Sequence, residues 1–237
     1  TNGISSMLGD NNLNSGPFTV MTYNFTNAGP YTPGMQNAAT HPATCGCPTC
    51  LGAFDIAHLQ YLYGANPYTN RKDNSYLLSD SLKGIECIWD ASGIDQIDGS
   101  NASKAVTIDL RNATLKNEFG GGGFVSTIYG ELQGYTIAYN STGKCIIENA
   151  IGSNYGDSIT GNEYSNYIYG MSGDDSLYAR GGSDFLFGGD GDDSLYGSYH
   201  GDVSFAIDTL EGGMGADNFI LGSTHSSFYT NSSDRFA

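Results

Sequence analysis

Between Gly152 and Ile220 a carboxylate or carboxamide returns at the sixth place of seven glycine-rich units. These residues are Asp157, Asn166, Asp175, Asp184, Asp193, Asp208 and Asp217. Two places further on stands a large apolar residue: Ile159, Ile168, Leu177, Leu186, Leu195, Leu210 or Phe219. Six of the units are nine residues long, and the one from Gly197 to Glu211 has six more. The segment holds ten Asp and two Glu against a single Arg, Arg180, and no Lys. Carboxylates crowded in this way repel one another unless a cation lies between them, and carboxylates with turn carbonyls are the oxygen ligands that calcium takes. The metal's binding free energy then becomes folding free energy. Asn166 carries no charge, so the weakest site is expected around it.

The rest of each unit must position that carboxylate. Its glycines suit a tight turn with positive φ. The lone apolar residue, with outward neighbours on either side, is a very short strand of period two. This nonapeptide resembles the RTX repeat of calcium-binding parallel β-rolls. The resemblance implies that successive units run on opposite sheets and that units two apart stack. One edge would carry Asp157, Asp175, Asp193 and Asp217, the other Asn166, Asp184 and Asp208. The six extra residues after Gly197 should bulge without breaking the stack.

The 237-residue chain has a net charge of −16, with 34 Gly and 17 Tyr. That charge argues against nucleic acid or an anionic membrane as partner. No apolar run approaches the roughly 20 residues of a membrane-spanning helix, and no N-terminal signal peptide is visible. The chain opens on Thr, as expected of a processed or truncated piece of something longer. Residues 1–17 read as loop, and Phe18 to Phe25 (FTVMTYNF) as an apolar, β-branched run. Asp55 to Tyr63 (DIAHLQYLY) has helical spacing, with Asp55 as N-cap and Gly64 as stop. ECIWDASGIDQID, Glu86 to Asp98, reads as a strand entering an acidic turn. AVTIDLRNATL and ELQGYTIAYN alternate as strands do, and KCIIENAIG leads into the repeats.

In this order VMTYNF, DIAHLQYLYGAN, IWDASGIDQID, IDL, IIENAIG and the nonapeptides resemble the serralysin family of secreted zinc metallopeptidases. The resemblance implies a mainly β chain: a parallel β-roll preceded by a small Met-turn and helix remnant of a metzincin catalytic domain. It divides the chain into 1–70 (Met-turn and helix), 71–151 (strands with calcium turns), 152–220 (roll) and 221–237 (tail). Met21 would lie under the zinc and Tyr23 would face it. The family's zinc motif, H-E-x-x-H-x-x-G-x-x-H, does not occur among the four His at 41, 58, 200 and 225. Zinc would bind only if an upstream segment supplied ligands, and the polypeptide as written is not expected to hydrolyse peptides.

The resemblance also implies calcium outside the roll. Asp90 and Asp95 would give carboxylates, with Arg71, Asp73 and Ser92 giving main-chain carbonyls. A second ion would use Asp95, Gly93, Glu148 and the Ile146 carbonyl. Asp73 and Ser92 stand where the family usually has Gly. Solvated turn carboxylates are the alternative. Cys87 and Cys145 precede the turns proposed to share an ion and are expected to form a disulfide. Cys45, Cys47 and Cys50 lie near His41 and could pair or make a zinc knuckle, disulfides being favoured in a secreted protein. Sequons at Asn24, Asn101, Asn112, Asn140 and Asn231 permit glycosylation.

Tyr178 and Tyr196 face outward on one sheet, and Tyr167, Tyr169, Phe185 and Phe187 on the other. They either lie flat over a thin solenoid or form an aromatic surface for another chain or a sugar polymer. Only 17 residues follow Ile220, too few to suggest a cap over the last rung. Self-association through that end or the aromatic faces is therefore expected. The favoured reading is a secreted, calcium-binding, structural or filament-forming β-roll protein. The alternatives are the C-terminal portion of a zinc metallopeptidase and an adhesive or carbohydrate-binding module.

Overall fold

The computed structural model describes residues 51–140, 142–197 and 207–220. Met21, Tyr23, the Cys45–Cys50 cluster with His41, and the tail beyond Ile220 lie outside them. In chain order the described elements are α1 (Ala53–Tyr63), β1 (Ser75–Leu77), β2 (Ile85–Ile88), β3 (Gln96–Asp98) and β4 (Val106–Asp109). They continue with β5 (Ser126–Ile128), β6 (Gly134–Ile137), β7 (Asn149–Ile151), β8 (Ser158–Thr160) and β9 (Tyr167–Ser172). Last come β10 (Ser176–Tyr178), β11 (Phe185–Asp190), β12 (Ser194–Tyr196), β13 (Thr209–Met214) and β14 (Asn218–Phe219). The protein is mainly β, and its sheets are built chiefly from parallel pairs.

Two compact units interleave along the sequence. One takes residues 51–72, Asp80–Gly93 and Asn112–Ile146; the other takes Asp73–Ser79, Ile94–Arg111 and residues from 147 onward. The segment 71–151 is thus divided between them.

In the first unit β6 pairs with β2 in parallel and with β5 antiparallel. Ile128 and Ile137 are buried there. Asn112 ties the chain together, its Nδ2 donating to the Ala138 and Cys145 carbonyls at 2.8 and 2.9 Å. That sequon asparagine is thereby occupied. Helix α1 starts two residues before its expected cap. Gly52 is the N-cap, and Asp55, at the third helical position, accepts the Gly52 N–H at 2.9 Å. A carboxylate in the first turn also suits the helix dipole. The helix stops at Gly64, whose φ of 80° is easy only for glycine.

The second unit is the roll. One sheet runs β1-β3-β7-β9-β11-β13, and the facing strands run β4-β8-β10-β12-β14. Successive nonapeptides alternate between the sheets and pair in parallel with the unit eighteen residues away: Leu177 lies against Ile159 and Leu195, and Leu186 against Ile168. Past the longer unit the offset becomes 24 residues, Leu186 against Leu210, and the pairing continues. Ile159, Ile168, Leu177, Leu186 and Leu195 are all 0% exposed. Phe219, expected to face inward like them, is instead 47% exposed. It lies on β14, which pairs with β12 alone at the edge of its sheet.

The roll also begins earlier than the repeats. Ala150 of β7 lies against Ile168, Ile97 of β3 against Ala150, and Tyr76 of β1 against Ile97. On the other sheet Ile108 of β4 lies against Ile159. Ile97, Ile108 and Ala150 are fully buried. These rungs come from segments with no nonapeptide spacing.

Candidate metal-binding ladders of the β-roll

Every rung places a residue two positions before its inward apolar side chain, and these residues form two columns. Along one edge the main-chain N–H of each member donates to the carboxylate of the next. Val106 donates to Asp157 Oδ1 at 2.7 Å, Asp157 to Asp175 Oδ1 at 2.7 Å, Asp175 to Asp193 Oδ1 at 2.8 Å and Asp193 to Asp217 Oδ1 at 3.0 Å. Along the other edge Asn166 donates to Asp184 Oδ1 at 2.7 Å and Asp184 to Asp208 Oδ1 at 3.0 Å. The two expected edges are therefore formed as the repeat implied, with each sixth-position residue bonded to the rung above.

The second column also extends into the non-repeating rungs. Asn74 N–H donates to Asp95 Oδ1 at 2.8 Å, and Asp95 N–H to Glu148 Oε2 at 2.7 Å. Asp95 and Glu148, expected to share an ion, thus meet as neighbouring rungs. No repeat announces them, because 53 residues separate them. The usable signal is local: each stands two places before a small or branched apolar residue that enters the column.

One oxygen of each carboxylate is used by this ladder. The remaining oxygens differ between rungs. Asp175 and Asp193 are 2% and 0% exposed, and their Oδ2 atoms accept no hydrogen bond. A buried, unsatisfied carboxylate oxygen is costly. Each folds over the first glycine of its own unit. A methyl on Gly170 would collide with Asp175 Oδ2 and the Gly188 carbonyl, and one on Gly188 with Asp193 Oδ2 and the Gly212 carbonyl at 2.6 Å. The space beside each orphaned oxygen is thus already edged by a carbonyl of the next turn.

Burial pushes the Asp175 carboxyl up to about 8, and repulsion from Asp157, Asp193 and Asp174 adds to it, against the opposing Asp157 N–H. Burial also raises Asp157 and Asp193. Hydrogen bonds from Ser153 and Val106 counter the shift at Asp157, and the charges of Asp217, Asp174 and Asp192 reinforce it at Asp193. A column that resists ionisation, with orphaned oxygens and carbonyl neighbours, fits a hard divalent cation. Among the described residues no three His, Cys, Asp or Glu converge. The Gly188 and Gly212 carbonyls beside these carboxylate oxygens match the all-oxygen ligands that calcium takes.

Outside the ladders, Arg71, Asp90 and Ser92 are brought together in the first unit. The Ser92 hydroxyl donates to the Arg71 carbonyl at 3.5 Å, and its N–H to the buried Asp90 Oδ1 at 3.1 Å. In the roll unit the Asp73 side chain accepts the Ile94 N–H at 3.0 Å. Gly93 and Ile146 belong to the first unit.

Cys87 and Cys145 do not form the expected disulfide; both are buried thiols. Cys145 Sγ points to the Ile88 carbonyl, 3.8 Å away, whereas Cys87 lines a groove with Trp89 and α1 residues.

Residues 151–186 and 178–203 match the family described as RTX calcium-binding nonapeptide repeat (4 copies). The chain has no match among curated proteins. The chain carries RTX calcium-binding repeats, folded as a parallel β-roll.

Proposed function

We propose that this protein is a secreted, calcium-stabilised β-roll whose role is structural rather than catalytic, with metal held along the two aspartate columns. Asp175 and Asp193, with the Gly188 and Gly212 carbonyls, would hold ions on one edge, and Asp184 and Asp208 would serve the other. The observation that carries this reading is the pair of buried, unpartnered Oδ2 atoms beside next-turn carbonyls. When bound, calcium supplies counter-charge; the chain supplies fixed oxygens and backbone turns. Arg71, Asp90 and Ser92 in the first unit, and Asp73, Asp95 and Glu148 in the roll unit, are proposed as further calcium ligands on the strength of the serralysin resemblance. Residues 1–70 as a Met-turn and helix region and 221–237 as a tail are kept as part of the same proposal.

Calcium titration followed by calorimetry and circular dichroism tests it. The expected result is uptake of several ions with a gain of β signal and a higher Tm, reversed by EGTA. No uptake at millimolar calcium would sink the reading.

The outward aromatics support an assembly role as a second reading. Tyr178 and Tyr196 stack at 4.4 Å, and Tyr167, Phe185, Tyr169 and Phe187 form a continuous run on the other sheet at 5.8–6.2 Å. Tyr167 and Tyr169 are exposed. Self-association would then appear in sedimentation at high calcium and protein concentration, and a monomer there would remove it. A glycan-binding screen separates the carbohydrate alternative. The metallopeptidase alternative needs an H-E-x-x-H segment, which these 237 residues do not contain. Intact mass with N-terminal mapping of native material decides it.

A further inference from the structure

The six described turns of the repeats are of two kinds. In those opening at Gly170, Ala179, Gly188 and Gly212, the second and fourth residues both have positive φ: Met171 and Gly173, Arg180 and Gly182, Gly189 and Gly191, Gly213 and Gly215. Met171 and Arg180 adopt this conformation despite bearing side chains, at φ of 86° and 77°. In the turns opening at Gly152 and Gly161 the corresponding residues, Ser153, Tyr155, Asn162 and Tyr164, do not.

Instead, the second residue of those two turns closes the loop with its own side chain. Ser153 Oγ donates to Asp157 Oδ1 at 2.8 Å and accepts the Tyr155 N–H at 3.2 Å. The Ser153 N–H donates to Asp157 Oδ2. Asn162 repeats the pattern: its Oδ1 accepts the Tyr164 N–H at 2.9 Å and Asn166 Nδ2 at 3.1 Å, and its N–H donates to Asn166 Oδ1 at 2.9 Å. The two amide groups then reach outward. Asn166 Nδ2 donates to the Glu148 carbonyl at 2.9 Å, and Asn162 Nδ2 to the Ile147 and Leu110 carbonyls at 2.8 and 3.3 Å. Both oxygens of Asp157 are satisfied, whereas Asp175 and Asp193 each keep a buried oxygen with no partner. A cation gathers carbonyl and carboxylate oxygens; here amide and hydroxyl hydrogens gather them.

We infer that the first two turns of the repeats are closed without metal by Ser153, Asn162 and Asn166, and that within the repeats calcium dependence begins at the turn opening at Gly170. This rests on the calcium reading of the later turns. Within the repeats, the rungs β8 and β9 then form a base that needs no metal at its own turns, and calcium adds rungs to it from β10 onward. Asn166 is the residue that sets the border, because an aspartate there would place a bare oxygen against the Glu148 carbonyl and Asn162 Oδ1.

Hydrogen exchange on the full chain in calcium chloride and in EGTA, read peptide by peptide, tests this. Without calcium, amides in 149–168 should stay protected, while those in 176–196 exchange faster by about 10-fold or more. In Asn166→Asp, protection of 161–168 should fall in EGTA and return with calcium. If 149–168 loses protection together with 176–196 in the unaltered protein, the metal-independent base is overturned. Unchanged protection of Asn166→Asp in EGTA overturns the role of Asn166. Exchange indifferent to calcium throughout overturns the calcium reading itself, a different failure from the first. The unaltered protein decides the base whether or not the variant folds.

Discussion

Asp175 carries the sharpest residue-scale expectations. Replacing it with Asn keeps the acceptor for the Asp157 N–H and removes the charge, so the column should lose calcium affinity while the apo-protein gains stability. Parallel calcium titration and EGTA melts measure both. The pH dependence follows from its carboxyl, raised to about 8. A raised acid is favoured in its protonated form in the fold, so its contribution to the stability of the metal-free roll should be full below about pH 4 and be lost progressively up to about pH 8. Calcium selects the ionised form, so its affinity should rise over the same interval. Melting in EGTA at pH 5 and pH 8 checks the sign, which opposes that of ordinary surface carboxylates. Gly188→Ala would press a methyl against Asp193 Oδ2 and the Gly212 carbonyl. It should reduce calcium-dependent stabilisation more than Ala substitution at Gly130, which lies in the other unit and, at φ of 79°, costs backbone strain but presses on nothing. The seven sixth-position residues were legible because their spacing is regular. Asp95 and Glu148 were not legible as ladder members, because main-chain contacts across 53 residues leave no periodic trace. The metal-free turns did leave one: Ser153 and Asn162 stand where later turns have Met, Arg or Gly, and Tyr155 and Tyr164 where they have Gly.

At the scale of elements, each nonapeptide strand contributes a single inward apolar side chain, so each carries a large share of its rung. Leu177→Ala should cost roughly 2–5 kcal/mol, the range for a buried leucine truncated in a packed core. Denaturant unfolding in calcium measures it. Phe219→Ala on β14 should cost far less, given its exposure. The strands were legible wherever one apolar residue sat between outward neighbours. The cap of α1 was misplaced by three residues because Asp55 resembles a cap by type. The true cap is Gly52, which has no side chain to advertise it, and Asp55 bonds back to it from the first turn. Asp55→Ala should therefore loosen the helix by about 0.5–1 kcal/mol.

The interleaving of two units was the least legible feature of the whole molecule. Segments 73–79, 94–111 and 147–151 join the roll, while 80–93 and 112–146 join the other unit. Local composition does not distinguish them; only pairing does, and pairing over such distances has no sequence period. Cys87 and Cys145 show the same limit, since position before an acidic turn suggested a bond that their side-chain directions do not make.

The column spacing survives a change in chain length. Asp184 N–H reaches Asp208 Oδ1 at 3.0 Å across 24 residues, much as Asp175 N–H reaches Asp193 Oδ1 at 2.8 Å across 18. Geometry between these rungs is thus uncoupled from the number of residues that join them, and a longer linker adds only a slowly growing closure entropy. The position between Gly197 and Ile207 is accordingly a natural grafting point. On the calcium reading proposed above, a foreign peptide inserted there would be presented only with the ion bound, its own sequence free to vary.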